Sequence, residues 1–363
     1  MLNKNTATQK IFLYFCPMKS EKTDIRKLSK EKLRDYFIAH GLDAFRGNQV
    51  YDWLWHKKVA NFNEMTNVSK EIRTFLDENF TLHKAQVETL QQSEDGTIKN
   101  AVKLFDGLVV ESVLIPTQTR TTACVSSQVG CSLDCLFCAT AQLKRMRNLN
   151  PEEIYDQVAL IDAQSKKYFD KPLSNIVFMG MGEPLMNYTN VLAAIEKITA
   201  TDGLGMSPKR ITLSTSGIPK MIKKIADDGV KFKLAVSLHS AIEEIRNKIM
   251  PFSVSFPLTE LREALQYWYQ KTKSKITFEY VVWKGINDDE ASIKALVKFC
   301  KQVPCKVNII EYNPIDSNDF QQADPQIIEH YKQALEHHNI VVKVRKSRGK
   351  DIDAACGQLA NKS

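Results

Sequence analysis

Three thiols lie within the stretch Gly130-Cys131-Ser132-Leu133-Asp134-Cys135-Leu136-Phe137-Cys138. The spacing is C-x3-C-x2-C, so the loop can wrap one face of a compact inorganic centre but cannot surround it. A cuboidal 4Fe–4S cluster normally takes four cysteine ligands. Three ligands would leave one iron open to chelate a small molecule that carries an amine and a carboxylate.

Two other interpretations of these cysteines stay open. Cys124 adds a fourth thiol, and four thiolates can form a closed structural zinc site. Zinc ligands usually come as two C-x2-C pairs, however, and the distance from Cys124 to Cys131 matches that pattern poorly. Unligated cysteines packed in the core are the second alternative. The spacing therefore favours a cluster.

The composition is typical of a folded globular protein. Of 363 residues, 43% are hydrophobic and 25% are charged, which suits one large domain with an appendage. The net charge of +8 suggests a polyanionic partner, because clustered Lys and Arg release counterions from phosphates. Eight cysteines, three of them tightly spaced, do not resemble a secreted disulfide scaffold. We therefore expect a cytoplasmic protein.

The N-terminus carries no recognisable targeting signal. No apolar run reaches the ~18 residues of a membrane span, and a signal-peptide cleavage site is missing, so no membrane partner is expected. Met18 opens a polar stretch typical of the beginning of a protein. Residues 1–17 are therefore candidates for a mis-assigned start.

Residues 1–94 are predicted to form a small helical accessory domain. Apolar residues recur at helical spacing from Ser29 to His40, with Ser29 as N-cap and Gly41 as stop. Further helices are predicted over residues 46–57 and 69–79. Basic and aromatic residues share these helices. Either they bind RNA, or the aromatic residues belong to the core and the charged residues form a solvated face. The residues are Arg46, Lys57, Lys58, Lys70, Trp53 and Trp55.

Residues 95–345 read as a β-hairpin followed by alternating strands and helices. The turn Asp106–Gly107 separates the hairpin strands. Six strand and helix units in a row predict a parallel sheet, and right-handed crossovers would curl it into a full or partial barrel. The fold class is α/β, a partial (β/α)6 TIM-like barrel. The predicted strands cover residues 121–126, 175–179, 210–214, 231–237, 276–282 and 306–312.

Ligands of such a sheet bind at the loops that follow the strands. The cysteine loop follows the first strand. Other loops at this edge offer glycines, hydroxyls, amides and a carboxylate, and each alone is ordinary turn chemistry. Together they favour a ligand site formed by Gly180-Met181-Gly182-Glu183-Pro184, Ser214-Thr215-Ser216-Gly217, Ser237-Leu238-His239 and Asn313-Pro314.

The cysteine loop resembles the signature of the radical S-adenosylmethionine enzymes, and Phe137 before the last cysteine fits that resemblance. Further segments resemble the RlmN family of adenine-C2 RNA methyltransferases, and this resemblance runs from the N-terminal helices to the last few residues. These segments are Ala123–Cys131, Phe137–Thr140, Gly182–Leu185, Leu213–Gly217, Ser237–His239 and Asp353–Leu359.

The resemblance implies a site and its cofactors. Cys131, Cys135 and Cys138 would ligate a 4Fe–4S cluster. S-adenosyl-L-methionine, two molecules per turnover, would be bound by Gly182, Glu183, Ser214, Ser237, Leu238, His239 and Asn313. The implied substrates are carbon 2 of an adenosine in the peptidyl-transferase region of 23S rRNA and adenosine 37 of tRNA.

The resemblance also implies the catalytic residues. Carbon 2 of adenine is electron-poor, so a radical route is required. Cys356, in the C-terminal segment 346–363, would carry the methyl group, Glu111 would accept the ring proton, and Cys124 would release the product by forming a disulfide with Cys356. The alternative for Cys356 is a small buried hydrophobe. An electron donor such as flavodoxin or ferredoxin is implied, and a monomer is expected.

Three questions stay open at this point. Lys343–Lys350, with Lys144, Arg145 and Arg147, is either a phosphate-binding strip or a solvated basic face. A related activity methylates carbon 8 of the same rRNA adenosine, and a non-catalytic RNA-binding protein with zinc is the alternative from another class. Cys16, Cys300 and Cys305 are expected to be packing residues.

Overall fold

The computed structural model describes residues 22–316 and 320–361. Cys16 and residues 1–17 lie outside the described residues, as do residues 317–319. No helix within these ranges combines the length and the apolar composition needed to cross a bilayer.

The N-terminal region is helical, as predicted. Ser29 caps its first helix, because the Ser29 Oγ accepts from the Lys32 N–H at 3.2 Å. Trp55 is 2% exposed and belongs to the core, whereas Trp53 is half-buried with the Lys57 Nζ 3.8 Å from its ring centroid. The elements are β1 (Thr23–Asp24), α1 (Lys30–Ala39), α2 (Ala44–Trp55), α3 (Lys70–Asn79) and β2 (Phe80–Thr81).

An antiparallel meander follows and forms one end of the main sheet, and its first strand, Gln86–Gln92, falls inside the range 1–94 that was predicted to be helical. Its strands are β3 (Gln86–Gln92), β4 (Ile98–Lys103), β5 (Val109–Pro116) and β6 (Thr121–Cys124). The predicted hairpin turn lies between β4 and β5, where Gly107 has a φ of 81°. The cysteine loop comes next. It is preceded by the short strand β7 (Gln128–Val129) and followed by the short helix α4 (Ala139–Gln142) and the short strand β8 (Arg147–Asn148).

The six predicted strands are all present, and each of the predicted crossovers is helical. The helices after β8 are α5 (Pro151–Phe169), α6 (Tyr188–Thr199), α7 (Pro219–Asp227), α8 (Glu243–Ile249), α9 (Leu258–Thr272), α10 (Glu290–Gln302) and α11 (Pro325–His337). The strands are β9 (Asn175–Phe178), β10 (Ile211–Thr215), β11 (Lys233–Ser237), β12 (Ile276–Val281), β13 (Cys305–Ile310) and β14 (Val341–Arg345).

Within the described ranges, ten strands form one sheet in the order β14-β13-β12-β11-β10-β9-β6-β5-β4-β3. Pairing is parallel from β6 to β14 and antiparallel from β3 to β6. The ends of the sheet, β14 and β3, do not pair, so the barrel is partial. The sequence did not predict β14, which begins just before the basic run, because a short, mostly exposed edge strand has no buried alternation to reveal it.

A buried ion-pair network fixes the N-terminal region against α5. Asp156 is 1% exposed, and its carboxylate accepts from Arg26 at 3.0 and 2.9 Å and from Lys84 at 2.6 Å. Arg26 also pairs with Asp24 at 3.3 Å. Removing one partner of such a buried pair costs about 3–5 kcal/mol, because the other charge stays behind uncompensated.

Candidate active site

A cavity at the carboxyl edge of the parallel strands contains the cysteine loop. Because parallel strands end at one edge, loops far apart in sequence meet there. Cys131, Cys135 and Cys138 all line this cavity. It also brings together most of the predicted cofactor residues, together with the predicted methyl carrier: Gly182, Glu183, Ser214, Ser237, His239, Asn313 and Cys356.

The cysteine loop is held in place by the segment around α8. The Leu136 N–H donates to the Ile249 carbonyl at 3.0 Å, and the Phe252 N–H donates to the Asp134 carboxylate at 2.8 Å. Phe137 packs on rings of the barrel, with its centroid 4.7 Å from that of His239. These contacts fix the loop against α8 and the rings of the barrel.

The chemistry of the three thiols suits a cationic centre. Burial is the largest cause that raises the pKa of each, to about 11 for Cys131, and thiolates in such a place need a cationic centre. Among the residues that the structure describes, no group of three or more His, Cys, Asp or Glu side chains is arranged to hold one metal ion. Cys124, the fourth thiol of the zinc alternative, lines a different cavity from Cys131 and Cys135.

Glu183 and the glycine before it form one wall of the cavity. The Glu183 carboxylate accepts from the backbone N–H groups of Ser216 at 2.7 Å and Leu185 at 3.0 Å, while burial raises its pKa. Gly182 has a φ of 92°, and a Cβ there would lie 2.5 Å from the Cβ of Gln128. Only glycine therefore lets the chain pass Gln128 and present Glu183.

His239 is neutral in this site. Burial, with the nearby charge of Arg246 second, lowers its pKa to about 3. The His239 Nδ1 accepts from the Val281 N–H at 3.2 Å, so the ring proton is assigned to Nε2. His239 can therefore offer the cavity a neutral N–H donor.

Asn313 carries an unsatisfied acceptor. Its Nδ2 donates to the Cys356 carbonyl at 3.2 Å and to the Glu311 carbonyl at 3.3 Å. Its Oδ1 is buried and has no partner in the described part of the chain. A ligand with an N–H or O–H group would satisfy it.

Leu238 is the exception among the predicted cofactor residues. It lies between Ser237 and His239, but its side chain is fully buried in the core and does not line the cavity. Its backbone N–H donates to the Glu279 carbonyl at 3.0 Å, and its carbonyl accepts from Arg246.

A second cavity adjoins the first and contains the two cysteines that were predicted to take part in methyl transfer, Cys124 and Cys356. Cys124 and Cys356 line it as free thiols, and Cys138, Thr140, Met179, Gly180, Ile310, Cys356 and Gly357 line both cavities. Burial raises the pKa of Cys124 to about 12, and that of Cys356 also rises. The charge of Arg345, which lines the same cavity, opposes both shifts.

Glu111 lies away from both cavities in this structure. It is 1% exposed, and its carboxylate contacts the Lys99 Nζ at 3.3 Å. The same carboxylate accepts from the backbone N–H groups of Ala360 at 2.8 Å and Asn361 at 3.1 Å. Glu111 thus anchors the C-terminal segment that carries Cys356.

The sequence did not point to two polar residues of this region. Glu279 lines the first cavity, accepts from Asn308 at 2.8 Å and pairs with Arg345 at 3.6 Å. The sequence could have revealed Glu279, because it is a carboxylate within the otherwise uncharged and buried strand β12. Arg246 is fully buried beneath the loop, but in sequence it is an ordinary charge on a polar helix.

Comparisons with known proteins cover almost the whole chain. The family model of the "Ribosomal RNA large subunit methyltransferase N-terminal domain" matches residues 23–82, and that of the "Radical SAM superfamily" matches residues 125–297. The "Probable dual-specificity RNA methyltransferase RlmN" of Flavobacterium psychrophilum is 73% identical over 345 residues, which is 95% of this chain and 99% of that protein.

A less similar relative and a solved structure also match most of the chain. The protein of the same description from Streptococcus agalactiae serotype Ia is 39% identical over 346 residues, 93% of each chain. The crystal structure of a radical SAM methyltransferase from Sphaerobacter thermophilus superimposes with a TM-score of 0.89 at 34% identity, and covers 94% of this chain and 100% of that one.

Proposed function

Because the chain belongs to the RlmN family of radical SAM methyltransferases, we propose that it methylates carbon 2 of adenosine in 23S rRNA, and adenosine 37 of tRNA, through a methyl-cysteine. The observation that carries this proposal is the shared wall of the two cavities. Cys356 lines both, so this residue adjoins the cavity of the cysteine loop as well as the cavity that contains Cys124.

The first cavity is proposed to hold the cofactors. Cys131, Cys135 and Cys138 would ligate three irons of a 4Fe–4S cluster, while Glu183 and Asn313 offer acceptors to an amino acid ligand. When bound, the cluster and S-adenosylmethionine supply the methyl group and the radical chemistry that an electron-poor ring carbon needs.

Cys356 is proposed to accept the methyl group as a thiolate. Its sulfur forms a bond to the methyl carbon as the sulfonium bond of one S-adenosylmethionine breaks and S-adenosylhomocysteine leaves. The raised pKa of the thiol works against this step, whereas Arg345 works for it. A second S-adenosylmethionine is used per turnover.

Cys124 is proposed to release the methylated product. Its thiolate attacks the sulfur of Cys356, and the bond from that sulfur to the former methyl carbon breaks. The electron pair of this bond passes to the carbon, which takes up a proton to become the methyl group of the product, and a disulfide remains. Two electrons from an external thiol must then reduce this disulfide before the next turnover.

Glu111 remains our proposed proton acceptor, with one structural condition. Its carboxylate is now occupied by Lys99 and by the backbone of Ala360 and Asn361. It can accept a ring proton only after the C-terminal segment moves. The proton step is therefore coupled to the position of Cys356.

The RNA is proposed to approach from the basic side of the second cavity. Arg345, Lys346 and Arg348 line that cavity and would bind phosphates. The target base must be unstacked to reach it. Flavodoxin or ferredoxin is the proposed electron donor, and the enzyme is proposed to act as a monomer.

Methylation of rRNA and tRNA fragments by iron-loaded protein tests this function. Cys356→Ala should abolish methyl transfer, and Cys124→Ala should trap an RNA–protein adduct. Cys305→Ala is the matched control, because Cys305 lies in β13 outside both cavities.

Mass spectrometry of the nucleosides then locates the methyl group. We expect 2-methyladenosine. Methylation at carbon 8, or normal product from either of the first two variants, would contradict the proposal.

A further inference from the structure

A fully buried arginine without a carboxylate partner lies beneath the cysteine loop. Arg246, in α8, is 0% exposed, yet none of the ion pairs among the described residues includes it. Arg26, almost as buried, pairs with both Asp24 and Asp156. The comparison matters because buried charges in proteins are normally paired.

The guanidinium of Arg246 joins the ends of two strands. Its Nη2 donates to the Ser216 carbonyl at 2.6 Å, just after β10, and its Nη1 donates to the Ser237 carbonyl at 3.0 Å and to the Leu238 carbonyl, at the end of β11. Nη1 also contacts the Met250 Sδ at 3.4 Å. Nε is buried and has no partner among the described residues.

These contacts do not balance the charge. Burial lowers the pKa of Arg246 to about 10, so the side chain is still a cation at neutral pH. An unpaired buried ion carries a large desolvation penalty, which carbonyl dipoles offset in part. We therefore expect a negatively charged group close to the Arg246 guanidinium.

Two groups near Arg246 can carry negative charge. Glu243 is one, but its carboxylate accepts from the Leu258 N–H at 2.9 Å and forms no ion pair with Arg246. The Cys135 sulfur, which is charged when it ligates the cluster, is the other, and Cys135 packs in the same cluster of side chains as Met250, whose Sδ lies 3.4 Å from the Arg246 Nη1. Cys135 belongs to the loop that α8 and the following turn hold in place.

We propose that Arg246 is the buried counter-charge of the iron–sulfur cluster, acting as a positioning residue through Cys135 and the ends of β10 and β11. Three thiolates outweigh the charge of the iron–sulfur core, and one-electron reduction adds a further negative charge. A fixed cation beside the loop stabilises the reduced cluster more than the oxidised one. The inference rests on the cluster of the proposed function and on no property of the RNA.

The test is the midpoint potential of the cluster, measured by EPR-monitored titration of iron-loaded protein without RNA. Arg246→Gln removes the charge and keeps a hydrogen-bond donor. We expect the reduction equilibrium to shift at least tenfold toward the oxidised cluster, which corresponds to about 59 mV for one electron. Arg246→Lys keeps the charge and should stay near the wild-type potential.

Arg26→Lys is the matched control for general destabilisation. It perturbs a buried arginine in the junction with α5, so the thermal midpoint should fall while the potential stays unchanged. A wild-type potential in Arg246→Gln would overturn the inference, and so would a drop in Arg246→Lys as large as that in Arg246→Gln. If Arg246→Gln does not fold or load iron, Arg246→Lys decides, since a fall of about 59 mV there refutes the role of charge.

The outcome is separable from that of the proposed function. A protein that loads the cluster and shows the expected shift supports the role of Arg246 even if no RNA is methylated. A wild-type protein that binds no cluster refutes both.

Discussion

Replacing Glu111 by Gln should release the C-terminal segment. The Glu111 and Lys99 side chains are 1% and 5% exposed and lie 3.3 Å apart. The substitution leaves Lys99 buried without its counter-charge, and breaking one side of such a pair costs about 3–5 kcal/mol. We expect the free energy of unfolding, measured in urea, to fall by that amount.

The hydrogen bonds from Glu111 to the C-terminal segment predict a second, local effect, on the rate of amide exchange. Hydrogen bonds to a charged group contribute about 1.5–3 kcal/mol each, and Glu111 accepts two, from the N–H groups of Ala360 and Asn361. Loss of one such bond corresponds to amide exchange that is roughly 10- to 150-fold faster. Hydrogen–deuterium exchange of the C-terminal peptide measures this directly.

A matched control separates burial from charge. Glu311 makes the same kind of contacts, with Lys350 and the Ser347 N–H, but its side chain is 33% exposed. Glu311→Gln should therefore cost no more than about 1 kcal/mol. The double substitution Lys99→Met with Glu111→Gln removes both buried charges and should recover part of the loss.

Two results would refute this reasoning. The first is unchanged exchange at Ala360 and Asn361 in Glu111→Gln. The second is a double variant that is less stable than Glu111→Gln, because Lys99 would then have contributed something other than a paired charge.

Two further outcomes follow from the cavities. Alkylation of Cys356 by iodoacetamide needs the thiolate. Cys356 is exposed as a residue, yet desolvation of its sulfur raises the pKa of the thiol. The alkylation rate should therefore rise about tenfold per pH unit to beyond about pH 8.5, where a free cysteine is half ionised, and a plateau below that pH would contradict the shift. Gly182→Ala should weaken binding of S-adenosylmethionine to iron-loaded protein at least tenfold in calorimetry, because its Cβ would displace Gln128. Gly107→Ala, with φ at 81° and nothing within 4 Å, should bind normally, and equal affinity in both variants would argue against the clash.

Much of the fold follows from local signals. Ser29 marks the first helix because its hydroxyl can cap only a backbone N–H a few residues ahead. The alternation of strand-like and helical runs identifies the parallel sheet, because parallel strands need crossover connections that are usually helices. The edge strand β14 has no such run, since most of its side chains are exposed.

Some features of the candidate site can also be read from the sequence, whereas others depend on the fold. The spacing of Cys131, Cys135 and Cys138 is a property of the sequence, because one short loop holds all three thiols. The pairing of Cys124 with Cys356 came only from the family resemblance, since these residues are far apart along the chain and share a cavity only because the fold brings them to one edge of the sheet. Glu111 was predicted from a resemblance, whereas its hold on Ala360 and Asn361 depends on where the tail folds back.

The sequence by itself determined the alternation of strands and helices, the cysteine loop and the family to which both belong. The tertiary structure alone decided that Leu238 faces the core, that Glu111 holds the C-terminal segment, and that Arg246 is buried without a carboxylate. The physical reason is that hydrogen bonding and periodicity act over a few residues, whereas burial and electrostatic pairing are set by whatever the fold brings alongside.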